Sequence, residues 1–284
     1  MNILPRYIAL LMAGCVTLTA CENTIEPFDQ EGDTSYVIHG ILDMQLDRQF
    51  VRIEALRPTV LSQTQDMEGV RVFSTDLDGG QLIFWNDSLV TLDDGSSAHL
   101  YYADFRPVEG HSYVLQVGRS DETGASATTK VPERPVFYLD PTRGDTLNLK
   151  QKIYLVDIQE QPKQLTVQYT VVDVDSEVPQ TIDIFYGEAG SSSSIGWEFD
   201  VRLATDRFII MGILNRSIED KNVRLRNLGF SLTIESEEWT RVLDPVNLNR
   251  AYGFFGSVGH YEFFWRLDSQ SIVTMGYVDD QTFN

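Results

Sequence analysis

From Ser35 onward, apolar and polar residues exchange places in short runs punctuated by Gly, Pro and Asp. Gln49 to Leu56 alternates with period two, the pattern of a strand with one buried face. Tyr36–Ile38, Val70–Phe73, Gln81–Trp85 and His99–Tyr102 predict further strands, with turns at Asp78-Gly79-Gly80 and Asp93-Asp94-Gly95 between them. Later segments predicted as strands are Lys152–Val156, Gln164–Val172, Thr181–Tyr186, Phe208–Leu214, Arg224–Glu235 and Ile272–Tyr277. Ser236 is placed to cap a short helix over Glu237–Leu243, and Ser191–Ser194 reads as a low-complexity loop. The pattern predicts an all-β, mainly antiparallel protein.

One piece narrows that class. In Gly110-His111-Ser112-Tyr113-Val114-Leu115-Gln116-Val117 a tyrosine enters a strand just after a glycine turn. This is the setting of the tyrosine corner, whose hydroxyl ties down the preceding turn in Ig-like and fibronectin-like β-sandwiches. Pro132 and Pro135 then interrupt the pattern as a connector, since proline suits a central strand poorly. The expected organisation is an Ig-like sandwich over 35–133 and a second β-rich domain with a short helix over 134–284.

The chain before 35 has a different character. Arg6 is followed by an apolar run, Tyr7 to Ala20, which is too short to span a bilayer and has the order of a secretory signal. It ends in Leu18-Thr19-Ala20-Cys21, which resembles the bacterial lipobox, with residues 1–20 removed and lipid added to the Cys21 thiol. Met12-Ala13-Gly14-Cys15 is a weaker alternative. With Cys15 lost and Cys21 acylated, the two cysteines leave no disulfide, so packing alone must hold the body. Residues 21–34 read as an acidic tether; from Glu22 to Asp47 there are seven acids and no Lys or Arg.

Composition bounds the partners. A net charge of −20 (42 acids against 22 bases) disfavours nucleic acid and anionic lipid surfaces, both polyanions. Membrane contact is therefore expected through acyl chains. His39, His99, His111 and His260 lack metal-ligand spacing, and there is no nucleophile elbow or phosphate loop, so no catalytic residue, metal or cofactor is assigned. Asp76–Gly80 and Asp173–Glu177 are fragments of calcium-loop spacing that ordinary acidic turns also explain. The late aromatics Tyr252, Phe254, Phe255, Tyr261 and Trp265, with Phe263 and Phe264 among them, are read as core or as a contact surface, such as a platform for sugar stacking.

The order of several motifs suggests a family. The lipobox cysteine, Gly110-x-x-Tyr113-x-Leu115-x-Val117, Thr128-x-x-Val131-Pro132, and Asp244-Pro245-Val246-Asn247 before Tyr252-Gly253-Phe254-Phe255-Gly256 together resemble the DUF4249 lipoproteins of Bacteroidota. Ala251 and Tyr252 stand where that pattern more often has glycine. The resemblance implies an envelope lipoprotein at the outer membrane, associated with TonB-dependent transport, and implies no catalytic residues. The sequence thus favours a binding or accessory lipoprotein, with a small-molecule or glycan ligand unspecified. The alternative is a glycan-directed envelope hydrolase using a carboxylate pair.

Overall fold

In the computed structural model the described residues are 36–56, 67–91, 93, 97–119, 124–158, 161–174, 177–242 and 245–279. Cys21 and the tether lie outside them. The first part of the chain forms β1 (Tyr36–Asp43), β2 (Arg48–Ala55), β3 (Arg71–Asp76), β4 (Leu82–Phe84), β5 (Asn86–Thr91), β6 (Ser97–Asp104), β7 (Ser112–Gly118) and β8 (Gly124–Lys130). In β2 the alternation places Gln49, Val51 and Ile53 inward and Phe50 and Arg52 outward, as period two demands. One layer runs β5-β6-β2-β1 and the other β4-β3-β7-β8, the strand order of Ig-like sandwiches. Their core holds Ile38, Leu42, Ile53, Tyr101 and Leu115, all fully buried. Tyr113 is buried there too, and the Val108 N–H donates to its hydroxyl at 3.0 Å. The tyrosine corner is present. Gly110, at φ +74, supplies the left-handed turn that precedes it.

The second part forms β9 (Val136–Leu139), β10 (Gln151–Val156), β11 (Lys163–Asp173), β12 (Pro179–Gly187), β13 (Ser191–Ser193), β14 (Gly196–Val201), α1 (Leu203–Ile213) and β15 (Val223–Glu235). There follow a 3-10 turn (Glu237–Arg241), β16 (Leu248–Asn249), β17 (Ala251–Trp265), α2 (Ser269–Met275) and β18 (Val278–Asp279). A layer β13-β14-β10-β9 packs against β12-β11-β15-β17 around Phe137, Phe199, Phe230 and Phe263. Their rings stand mostly edge to face, with centroids 4.7–5.5 Å apart, an arrangement favoured by the aromatic quadrupole.

The two halves share a sheet. Ala251–Val258 of β17 pairs in parallel with β1, and Val258–Trp265 pairs antiparallel with β15. β16 meanwhile pairs with β8 at Ala127 and Ser126. The segment after Pro245 therefore bridges both layers of the first sandwich and buries Phe255 in its core. The connector at Pro132–Pro135 marks where the first eight strands end, yet residues 248–258 return to that unit.

Four local expectations are corrected. Phe208–Leu214 is not a strand; it belongs to α1 and the residue after it. The buried residues Leu203, Ala204, Asp206, Arg207, Ile210 and Met211 follow helical period, but two are charged, which disguised the stripe. Ile272–Tyr277 is not a strand either. Asp268 caps α2 by accepting from the Ser271 N–H at 2.9 Å, and Gly276, at φ +84, ends it. Ser191–Ser193 is a short strand on β14 rather than a loop. Glu237–Arg241 is a single 3-10 turn after Ser236, whose side chain makes no capping bond.

Candidate functional site

Strands β12, β11, β15 and β17 turn one face to the second core and the other outward, and the outward face carries the candidate site. Cross-strand pairing sets its rows. Phe185, Thr166, Ser231 and Glu262 stand side by side across the four strands, and Asp183, Gln168, Gly229 and Phe264 form the next row. Around them is an open recess of about 780 Å³, lined also by Gln45, Arg134, Gln164, Thr233 and His260. Concave sites with aromatic walls and a few convergent polar groups are the usual form of small-ligand sites.

Several of the polar groups are held in place. Gln164 sits in a β-bulge of β11 with φ +53, a left-handed conformation that costs energy for a residue other than glycine. The bulge aims its side chain at Thr233, whose hydroxyl lies 3.5 Å from Gln164 Oε1. Thr233 also lies 3.0 Å from His260 Nδ1. His260 Nε2 is 3.2 Å from Asp43 Oδ1, a close contact without hydrogen-bond alignment. Arg134 donates to the Glu262 carbonyl and lies 4.8 Å from the Phe263 ring centroid. Burial pushes the Tyr261 hydroxyl up, so it stays protonated and donates to the Pro132 carbonyl.

The Thr233–His260–Asp43 string has the order of a nucleophilic triad, but its hydroxyl is buried in mid-strand. Backbone groups beside it serve the ladders to β11 and β17, so the residues here lock the seam where β1 meets β17. A second recess, about 570 Å³, holds a carboxylate pair. There Glu198 and Asp200 lie two apart on β14, hence on one face. Lys152 Nζ reaches Glu198 at 2.5 Å and Lys150 Nζ reaches Asp200 at 2.7 Å. Glycoside hydrolysis uses two carboxylates flanking the scissile bond; here each of the two is instead held by a lysine.

The acidic turn at Asp76 is closed on itself. Its carboxylate accepts from the N–H groups of Asp78 and Gly79 at 3.0 and 2.8 Å and meets His111 Nδ1 at 2.9 Å. Burial alone would raise Asp76, but these bonds outweigh it and hold the group below the usual carboxylate range. In the other acidic segment, Asp175 and Ser176 lie outside the described residues. No group of three or more His, Cys, Asp or Glu suited to a metal occurs among the described residues.

The late aromatics divide by phase along β17. Phe255, Tyr261 and Trp265 are buried, so these three are core and are corrected as a contact surface. Tyr252 and Phe254 are half-buried, and Phe254 packs on Trp239 at 4.9 Å. Phe264 and Phe185 are the exposed rings of the recess. Neither Phe185 nor the polar lining was anticipated from sequence. In Ile184-Phe185-Tyr186 and Phe263-Phe264-Trp265 both strand faces are apolar, so alternation does not say which ring faces out.

No family model and no curated protein matches the chain. Crystal structures of a pullulanase from Anoxybacillus sp. LM18-11, one of them with maltotriose, align over 70% of this chain and 24% of theirs. Identity is 10% and 11%, and the TM-score is 0.23 in both. The chain spans about a quarter of that enzyme's length, and so loose a likeness carries no argument about activity.

Proposed function

We propose that this is an envelope lipoprotein of the DUF4249 kind, tethered to the outer membrane by lipid on Cys21, which works by binding at the outer face of its shared sheet. In this reading it is an accessory of an outer-membrane transport system. The carrying observation is the recess itself: two exposed rings and fixed polar groups on paired strands, with Gln164 held in a strained bulge. Sites on strands keep their geometry better than sites on loops. Tethering supports the reading because it raises the effective concentration of a weak binder beside a membrane partner. Leu18-Thr19-Ala20-Cys21 supports the anchor, and a stable anchor takes two acyl chains, since one binds only marginally.

The test uses the full chain in its own cells. Cys21→Ser should move the protein out of the carbonate-washed membrane fraction. Phe264→Ala in the lipidated chain should reduce co-purification of an outer-membrane transporter while leaving the melting temperature unchanged. Retention of the Cys21→Ser protein in washed membranes would refute the anchor. Equal co-purification by Phe264→Ala would refute this face as the working surface. Turnover of a glycan, abolished by one carboxylate substitution, would replace binding with catalysis.

A further inference from the structure

We infer that the ligand of the outer-face recess is a neutral oligosaccharide; this rests on the binding reading above and adds the chemical class. Gly229 stands opposite Phe264 in the β15–β17 pair. A Cβ there would stand 2.7 Å from Phe264 Cδ1 and 2.9 Å from Cε1, so the absence of a side chain lets the ring lie against the sheet backbone. Phe264 is nevertheless 55% exposed. A ring that lies on the sheet and keeps its other face in water is a platform for a flat, weakly apolar partner. The C–H face of a pyranose is such a partner. Phe185, 71% exposed, stands at the far side of the same surface on β12, three strand spacings away. That is roughly 14 Å between backbones, the scale of a short oligosaccharide rather than one ring.

Between the two rings the surface is polar and hydrogen-bonding, not greasy. Thr166 and Ser231 contribute hydroxyls, Gln164 an amide, and Glu262 a carboxylate. Arg134 has five N–H donors and uses one on the Glu262 carbonyl. Planar amide, carboxylate and guanidinium groups can each hold two neighbouring oxygens, the geometry of vicinal sugar hydroxyls. A lipid or an apolar peptide would leave these groups unpaired, which is costly. An extended peptide would need free backbone groups, and β11 and β15, which floor the recess, offer none because both are paired on both sides here. Charge selects within the saccharides. The recess offers Arg134 as its one Lys or Arg side chain, beside Glu262, on a chain of net charge −20. Phosphorylated, sulfated or uronate-rich chains are disfavoured.

The experiment is a glycan array probed with the full lipidated chain in a detergent lacking a sugar headgroup, followed by calorimetry with the neutral oligosaccharides retained. Neutral glycans should bind and anionic ones should not. Phe264→Ala and Gln164→Gly should each weaken binding by about tenfold, the loss of one well-placed contact. Gln164→Gly is the sharper probe because glycine accepts φ +53 freely, so stability should hold or rise while binding falls. A purely structural Gln164 would give the reverse. The inference fails if no neutral oligosaccharide is retained, if anionic glycans are preferred, or if both variants bind like wild type. Should no saccharide bind while Phe264→Ala still loses the transporter, the saccharide is wrong and the binding reading stands. Loss of neither would sink both.

Discussion

Tyr113 and Asp206 show how differently single side chains hold this protein. Tyr113 is buried against Phe105, with ring centroids 5.8 Å apart, and its hydroxyl accepts the Val108 N–H. Tyr113→Phe keeps the ring and leaves that N–H without its acceptor, so it should cost about 1–2 kcal/mol in urea unfolding. An unchanged midpoint would show that the corner contributes nothing. Asp206, fully buried on α1, accepts from the hydroxyls of Tyr169 and Tyr186, each at 2.6 Å through Oδ2, while Oδ1 has no partner. Burial raises its pKa; the two hydroxyls and Arg202 offset this in part. A raised carboxyl binds its proton more readily folded than unfolded, so its charge weakens the fold at neutral pH. That penalty is relieved as pH falls through the raised value towards the ordinary 3.8. Relative to Asp206→Asn, the natural protein should therefore gain stability across that window. Parallel stability curves of the two proteins from pH 7 to about 4 would exclude this account.

At the scale of elements, legibility followed local pattern. Strands with one apolar face, such as β2 and β11, could be read from alternation, and the tyrosine corner from a glycine turn before an alternating run. Helix α1 could not, because Asp206 and Arg207 occupy its buried stripe while Phe208, Ile209 and Ile213 are exposed. Helix α2 was readable in principle from Asp268 and Gly276, but its seven residues include a β-branched run, Ile272-Val273-Thr274, that imitates a strand. The outer-face recess could not be assembled from sequence at all, since its members come from strands far apart in the chain. The parallel union of β1 with β17 has no local signal either; it depends on Gly253. That residue has φ +112, and a Cβ on it would stand 2.1 Å from the Ile38 carbonyl oxygen. Gly253→Ala must therefore break the β1–β17 register or strain both strands, and should cost about 3 kcal/mol or more, beyond the usual penalty for alanine at positive φ. Hydrogen exchange at Tyr36–Asp43 should accelerate first; unaltered protection there would contradict the role given to this glycine.

The whole molecule behaves, on these contacts, as two cores tied by one strand. Phe255 belongs to the first core and Tyr261, Phe263 and Trp265 to the second, all within β17. Further ties cross between the halves. Met44 packs against both cores, the Tyr261 hydroxyl donates to the Pro132 carbonyl, and Thr129 Oγ1 lies 3.1 Å from Ser257 Oγ. An Ig-like sandwich usually closes with its own strands, but here β16 lies on β8 and β17 on β1, so both layers end on residues from the other half. With no disulfide expected, the first sandwich depends on that donation for its packing. Two consequences follow for unfolding. Residues 35–133 expressed alone lack Phe255 and both donated strands, and should be unfolded or aggregated through the open edge of β1. Phe255→Ala in the full chain removes a fully buried ring that no solvent can reach, and should destabilise by about 3–5 kcal/mol. The sharper outcome concerns cooperativity. If β17 couples the halves, hydrogen exchange in Phe255→Ala should show Leu115 in the first core and Phe230 in the second losing protection together. A variant in which Phe230 keeps its full protection while Leu115 loses it would mean that the halves unfold independently, and that the shared strand joins them in space but not in stability.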